Sequence, residues 1–125
     1  MRIKKLAWVG TRTTEAEATV QFFQEVLGLH GENPMPDFWV LTMADGAKVE
    51  VFGPEHPHNR HFTTGPVVGF LVENVFTAAE ELRAAGVEIV SGPTGSEGDG
   101  NAWVHFRAPD GNLYEFTQDP GVAIP

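Results

Sequence analysis

A predicted β-hairpin near the end of the chain constrains the fold more than any other feature of the sequence. Two runs of alternating apolar and polar residues, 102–107 and 113–117, are separated by the sequence Pro-Asp-Gly-Asn at positions 109–112. This pattern predicts two antiparallel strands joined by a tight turn. We expect the turn to place His105 opposite Glu115, and that register decides which side chains share a face.

The two faces of this hairpin differ in character. One face is apolar and aromatic and is predicted to be core; it carries Val104, Phe106, Tyr114 and Phe116. The other mixes aromatic, imidazole, cationic and carboxylate side chains: Trp103, His105, Arg107, Leu113, Glu115 and Thr117. A solvated sheet face does not require this mixture, so the second face is predicted to form the wall of a site. Because antiparallel sheets often have one face in water, a face that meets solvent or another chain is the alternative.

Composition narrows the classes of partner. A chain of 125 residues with 42% hydrophobic residues is predicted to form one globular domain. It has no cysteine, so a disulfide is excluded and any metal must be bound by His, Asp or Glu. No segment resembles a signal peptide or a membrane span, which predicts a cytoplasmic protein. A net charge of -9 disfavours nucleic acid and membrane surfaces and favours a cationic or neutral small molecule, although acidic surfaces also serve solubility alone.

The first half of the chain is predicted to follow the order strand, helix and up to three strands. A strand over 3–13 precedes a capping box at 14–17, and a helix continues from there to Gly28. Its core face is predicted to be aromatic, with Val20, Phe23 and Leu27 in helical period and Phe22 and Val26 beside them. Two further strands, 38–43 and 47–52, are predicted around an Asp-Gly turn, and the strand directly after Gly28 is the least defined.

The second half repeats this order. A strand over 67–72 is followed by Asn74 as the N-cap of a helix over 75–85, then by a strand over 87–90 and a glycine-rich flap over 91–101. We therefore predict an α+β fold of two paired β-α-β-β-β modules. Module one covers about 1–53, a proline-rich linker 54–66, module two 67–118 and a tail 119–125.

Three segments resemble the vicinal oxygen chelate superfamily, which includes glyoxalase I, extradiol dioxygenases and bleomycin resistance proteins. They are Phe-Phe-Gln-Glu-Val-Leu-Gly-Leu at 22–29, the stretch from Glu-Asn-Val at 73–75 to Ala-Ala-Gly-Val at 84–87, and Pro-Asp-Gly-Asn-Leu-Tyr-Glu at 109–115. The resemblance spans nearly the whole chain. It implies modules that curl into a half-open barrel around a cavity, and usually a homodimer.

The resemblance also implies metal-ligand positions on the first and last strands of each module. In this sequence those positions carry Trp8, Glu50, Val67 and Glu115. An indole N–H cannot act as a lone-pair donor and valine has no donor, so two ligands are missing. Open catalytic metal sites generally have about three protein ligands, with His prominent, so we predict no cofactor. The alternative is a divalent metal held by Glu50, His105 and Glu115, with His105 as the replacement ligand.

Two functions are compatible with these residues. The first is a small-molecule-binding protein of the glyoxalase/bleomycin-resistance type that takes a planar or cationic ligand; its predicted contacts are Trp8, Glu50, Phe52, Val67, Trp103 and Arg107. The second is a glyoxalase-like lyase, isomerase or dioxygenase in which His105 and Glu115 are catalytic, with Glu50 and with or without a metal. There the carboxylate would raise the pKa of the imidazole and create a general base near neutral pH. A purely structural His105–Glu115 pair is the remaining alternative.

A cluster of loop histidines offers a weaker metal motif. His56, His58 and His61 lie in the predicted linker, where Pro57 interrupts the first two and no regular element orients them. We expect them to be solvated, with at most one side chain contributed to a lid.

Overall fold

The computed structural model describes residues 1–63, 65–96 and 100–118. Within this part of the chain, two helices and eight strands follow one another in the predicted order, which confirms the α+β class and the repeated β-α-β-β-β pattern. The elements are β1 (Ile3–Arg12), α1 (Ala16–Glu25), β2 (His30–Met35), β3 (Phe38–Thr42), β4 (Lys48–Phe52), β5 (Val67–Val72), α2 (Val75–Ala84), β6 (Glu88–Gly95), β7 (Ala102–Arg107) and β8 (Leu113–Gln118). The predicted tail, 119–125, lies outside the described residues.

The chain forms two compact units, and the first consists of Trp8–Val67. Its strands lie in the order β2-β3-β4-β1, with β1 parallel to β4 and the other pairs antiparallel. Apolar side chains from α1, β3 and β4 form its core: Ala16, Val20, Leu41 and Val51, with Phe23, Leu29, Trp39 and Val49 packed against them. The strand after Gly28, which the sequence defined least, is β2.

Helix α1 differs from its prediction at both ends. The N-cap residue Glu15 makes no side-chain capping bond, and its N–H donates instead to the hydroxyl of Thr13 (3.0 Å), so the predicted capping box is wrong. The helix ends at Glu25, before Gly28. The predicted core face is confirmed at Val20, which is buried, and at Phe23, which packs against the core. It is wrong at Leu27 and at the neighbouring Phe22 and Val26, which are exposed. Val26 and Leu27 follow the last helical residue, so the helical period no longer directs them inward.

The second unit consists of Met1–Ala7 and the chain from Val68 onward. Its strands lie in the order β5-β8-β7-β6. Strand β5 is parallel to β8, with Gly69 opposite Glu115, and the β7–β8 hairpin is antiparallel, with His105 opposite Glu115. The predicted hairpin register is therefore confirmed.

Helix α2 begins where the sequence predicts. The side chain of Asn74 accepts a hydrogen bond from the Thr77 N–H (2.9 Å), and the Gln118 Oε1 accepts one from the Val75 N–H (2.7 Å). Both bonds satisfy amide donors of the first helical turn. The helix packs on the predicted core face of the hairpin, with a cluster that includes Val75, Ala78, Ala79, Leu82, Val104 and Phe116.

The predicted glycine-rich flap is partly a strand. Strand β6 continues to Gly95, and Ser91 and Thr94 pair with His105 and Trp103 of β7. Positive φ angles at Gly92 (90°) and Gly95 (106°) accompany the irregular pairing, and only glycine adopts such angles readily. Residues 97–99 of the flap lie outside the described part of the chain.

No described helix has the length and apolar character that crossing a membrane requires.

Candidate functional site

The hairpin β7–β8 carries a buried hydrogen bond between two titratable side chains. The Nε2 of His105 lies 2.8 Å from the Oε1 of Glu115. Their direct cross-strand register follows from the tight turn, and alternation turns both side chains away from α2. The His105 side chain is 0% exposed and that of Glu115 is 8% exposed. Glu115 is therefore the more exposed member of the pair.

Burial, more than the neighbouring carboxylate, sets the protonation of His105. Desolvation lowers its pKa from the ordinary 6.5 to about 4. This is opposite to the rise expected from the sequence, because alternation alone does not show how completely the imidazole leaves water. At pH 7 the ring is neutral, and in the tautomer protonated at Nε2 it donates its N–H to Glu115. A neutral donor of this kind holds a carboxylate in one orientation.

Two other predicted ligand contacts lie on the same hairpin. Trp103 is half-buried and pairs with Thr117 across the strands. Arg107 binds the neighbouring strand and its own turn: its Nε donates to Glu88 of β6 (3.2 Å) and its terminal nitrogen donates to the carbonyl of Gly111 (2.9 Å). These bonds favour a structural role for Arg107 in the hairpin.

The remaining predicted contacts belong to the unit Trp8–Val67. Trp8 lies on β1, Glu50 lies on β4 opposite Gly10, and Phe52 and Val67 are fully buried.

An aromatic side chain that the sequence analysis missed joins this set. Phe62 has its ring centroid 6.1 Å from that of Trp8 and 5.5 Å from that of Phe52. It comes from the predicted linker, which has no periodicity. The signal that was available is a phenylalanine in an otherwise polar, proline-rich stretch.

The loop histidines are not uniformly solvated, contrary to the prediction. His56 is buried, with its ring stacked on Phe38 (4.9 Å between centroids) and its Nδ1 3.2 Å from the carbonyl oxygen of Pro36. His58 is exposed and His61 is half-buried. The rings of Phe38 on β3 and Phe52 on β4 pack against His56, and the loop sequence alone does not predict these contacts.

Comparison with known proteins identifies the family. The model of the glyoxalase/bleomycin resistance protein/dioxygenase superfamily matches residues 5–116. The chain belongs to this superfamily. The resemblance that the sequence motifs suggested is thereby confirmed, and no curated protein sequence matches the chain.

Solved structures of the superfamily share the fold. A methylmalonyl-CoA epimerase in complex with methylmalonyl-CoA and NH4+ is 18% identical, with 99% of this chain and 100% of that chain covered and a TM-score of 0.72. A Mn(II)-bound glyoxalase from Novosphingobium aromaticivorans is 19% identical, with 94% of this chain and 40% of that chain covered and a TM-score of 0.72. A superfamily member from Vibrio splendidus is 23% identical, with 92% and 98% covered and a TM-score of 0.69. At these identities the similarity shows the fold alone.

The described side chains of this chain do not provide the set of donors that a metal ion, as found in enzymes of the superfamily, requires. Across residues 1–63, 65–96 and 100–118, no group of three or more His, Cys, Asp or Glu side chains is arranged to hold a metal ion. Two donors, His105 and Glu115, are already hydrogen-bonded to each other. The described residues therefore do not fit a divalent metal.

We expect the purified protein to carry well below one equivalent of zinc, nickel, manganese or iron. The physical reason is the donor count, since about three protein ligands are usual in an open site. Elemental analysis after mild dialysis measures this directly. A metal content near one equivalent that is lost in Glu115→Ala or His105→Ala would contradict the prediction.

Proposed function

We propose that this chain binds a small organic molecule, planar or cationic, and that Glu115 meets the positively charged or hydrogen-bond-donating part of that molecule. The observation that carries the proposal is the His105–Glu115 pair, in which a fully buried imidazole orients a carboxylate that retains some exposure. A structural cross-strand pair does not require one partner to remain accessible. In the proposed function, Glu115 is the group that recognises the ligand and His105 is the buried residue that orients it.

The roles of the two residues differ. Because the His105 side chain has no exposed surface, it acts through Glu115 and is a positioning residue. Because the imidazole is neutral at pH 7, it can orient the Glu115 carboxylate without placing a positive charge beside it. Trp8, Glu50, Phe52, Val67 and Trp103 remain proposed ligand contacts, and aromatic rings among them suit a planar group.

Net charge favours a cationic ligand over an anionic one. The chain carries 17 acidic and 8 basic side chains, so its field attracts cations. Bleomycin, a cationic molecule named in the superfamily's description, is therefore a suitable probe. Methylmalonyl-CoA, which is bound in the epimerase complex, is a suitable anionic counterpart.

Glu115→Gln is expected to weaken the binding of bleomycin about tenfold to a hundredfold, because hydrogen bonds to charged groups contribute about 1.5–3 kcal/mol. Glutamine preserves the shape of the side chain and can still accept a bond from His105. Isothermal titration calorimetry of the parent and the variant measures the change. Glu80→Gln removes the same charge from an exposed site on α2. It is the matched control, and this variant should bind bleomycin as the parent does.

Equal binding by the parent and Glu115→Gln would show that Glu115 is not the recognition group. If the parent binds no bleomycin, the proposed function fails, and binding of methylmalonyl-CoA in its place would show that the site does not prefer a cation.

An acid–base enzyme is the second candidate, favoured by the contact between a neutral imidazole and a carboxylate that retains slight exposure. A carboxylate oriented in this way is a suitable type of base for removing a proton next to a carbonyl group. Incubation with methylmalonyl-CoA in heavy water tests this candidate. Deuterium uptake at the α-carbon that Glu115→Gln abolishes would favour the enzyme, and no uptake would favour binding alone.

We also propose that the chain forms a homodimer, as the family resemblance implies, and that it is cytoplasmic, as its composition predicts.

A further inference from the structure

The segment 53–62, most of which lies in the predicted linker 54–66, is an anchored loop. The guanidinium of Arg12, at the end of β1, donates to the carbonyl of Gly53 (2.7 Å), to that of His56 (3.3 Å) and to that of His58. Bonds from a cationic donor are stronger than those between neutral groups. One side chain thus binds three carbonyl groups along the loop.

Asp37 holds the same loop through its amide groups. Its side-chain carboxylate accepts a bond from the Glu55 N–H (2.7 Å), and its backbone carbonyl accepts one from the Gly53 N–H (2.8 Å). The carboxylate lies where a side chain on Gly53 would stand, since a Cβ there would be 1.9 Å from the Asp37 Oδ1. Anchors of opposite charge therefore fix the start of the loop from two sides.

The end of the anchored loop places Phe62 against Trp8. Phe62 is 2% exposed and its N–H donates to the carbonyl of Asn59 (3.1 Å), so its position follows from the loop. Its ring contacts both Trp8 and Phe52. Arg12 adds a second link, because its guanidinium carbon lies 5.5 Å from the ring centroid of Phe52.

Trp8 is also supported from its own strand. A Cβ on Gly10 would lie 2.0 Å from the Trp8 ring, so the indole lies directly over Gly10. The indole can take this position only because glycine has no side chain. With Gly10 beneath it and Phe62 beside it, the ring is held in one orientation. Trp8 is 9% exposed and Phe62 is 2% exposed, so Trp8 is the more exposed of these two contacting residues.

We propose that Arg12 and Phe62 are positioning residues that fix the ring of Trp8 for stacking on a planar ligand. Arg12 orders the anchored loop, the loop places Phe62, and Phe62 orients Trp8. The inference rests on the proposed function for its ligand, and it names the specificity determinant of that function as a planar ring. Preorganisation of this kind strengthens binding because less side-chain freedom is lost when the ligand arrives.

Fluorescence tests the positioning without any ligand. In a background with Trp39→Phe and Trp103→Phe, Trp8 is the remaining tryptophan of the three in the sequence. Arg12→Met and Phe62→Leu should each shift its emission to longer wavelength and increase its quenching by acrylamide. Arg83→Met, the same change at an exposed site on α2, should leave both unchanged. Unchanged Trp8 emission in both test variants would overturn the proposal.

Bleomycin binding, measured in the chain that retains all its tryptophans, tests the order of action. Arg12→Met and Phe62→Leu should each weaken binding about threefold to tenfold, and the double variant should be no weaker than the weaker single variant, since both changes act on one element. Additive losses would overturn the proposed order of action, in which Arg12 acts on Trp8 through Phe62. If the parent binds no bleomycin, the proposed function fails, while the emission and quenching of Trp8 still decide the positioning.

Discussion

Acidification from pH 7 to pH 4 is expected to remove about 3 kcal/mol of stability through His105 alone, since one pKa unit corresponds to about 1.36 kcal/mol. Burial lowers the pKa of His105 from 6.5 to about 4. Between these values the unfolded chain binds a proton that the folded chain does not. This contribution is therefore fully present above pH 6.5 and is lost as the pH falls toward 4.

Urea denaturation at several pH values between 7 and 4 measures this loss. Carboxylates also titrate over this range, so the informative quantity is the difference between the parent and His105→Gln, in which the imidazole is absent. The variant should lose less stability on acidification than the parent. His30→Gln, which removes an exposed imidazole from β2, is the control and should follow the parent. Parallel losses in the parent and His105→Gln would contradict the prediction.

Gly53→Ala is expected to reduce the free energy of unfolding by about 2–3 kcal/mol, because overpacking of a fixed site forces neighbouring atoms to move. The new Cβ would lie 1.9 Å from the Asp37 Oδ1. Asp37 cannot retreat without giving up its bond to the Glu55 N–H. The change therefore combines a steric overlap with the loss of a loop anchor.

Chemical denaturation measures this cost, and a second substitution tests its cause. In Asp37→Gly the carboxylate is absent, so Gly53→Ala made in that background should cost much less than in the parent. Gly31→Ala is the matched control: its Cβ would meet the end of the flexible Gln24 side chain at 2.5 Å, which can move. Equal costs at Gly53 and Gly31, or additivity with Asp37→Gly, would contradict the steric explanation.

Local signals in the sequence were sufficient for much of the second unit. Alternation and a Pro-Asp-Gly-Asn turn gave the register of His105 and Glu115, and the polar side chain of Asn74 gave the start of α2. At α1 the local signals misled, because an acceptable capping sequence did not form its bonds and the apolar period ran past the last helical residue. Helix ends depend on competing bonds, such as the one from Glu15 to Thr13.

The unpredicted parts of the candidate site depend on contacts between distant residues. Arg12 reaches carbonyl groups 41 to 46 positions further along the chain, and no periodicity connects them. The placement of Phe62 follows from that anchor. The lowered pKa of His105 likewise results from burial, which is a property of the folded chain and not of the hairpin pattern.

The second unit is formed by two separate stretches of the chain, and this limits how recombination between related genes can exchange it. That unit takes Met1–Ala7 from the start of the chain and everything else from Val68 onward. A crossover within the proline-rich segment exchanges most of one unit but leaves Met1–Ala7 with the other parent. The contact between the amino group of Met1 and the carboxylate of Glu81 would then join residues of different ancestry. Chimeric genes should therefore retain stability best when their first codons and their second half come from the same parent.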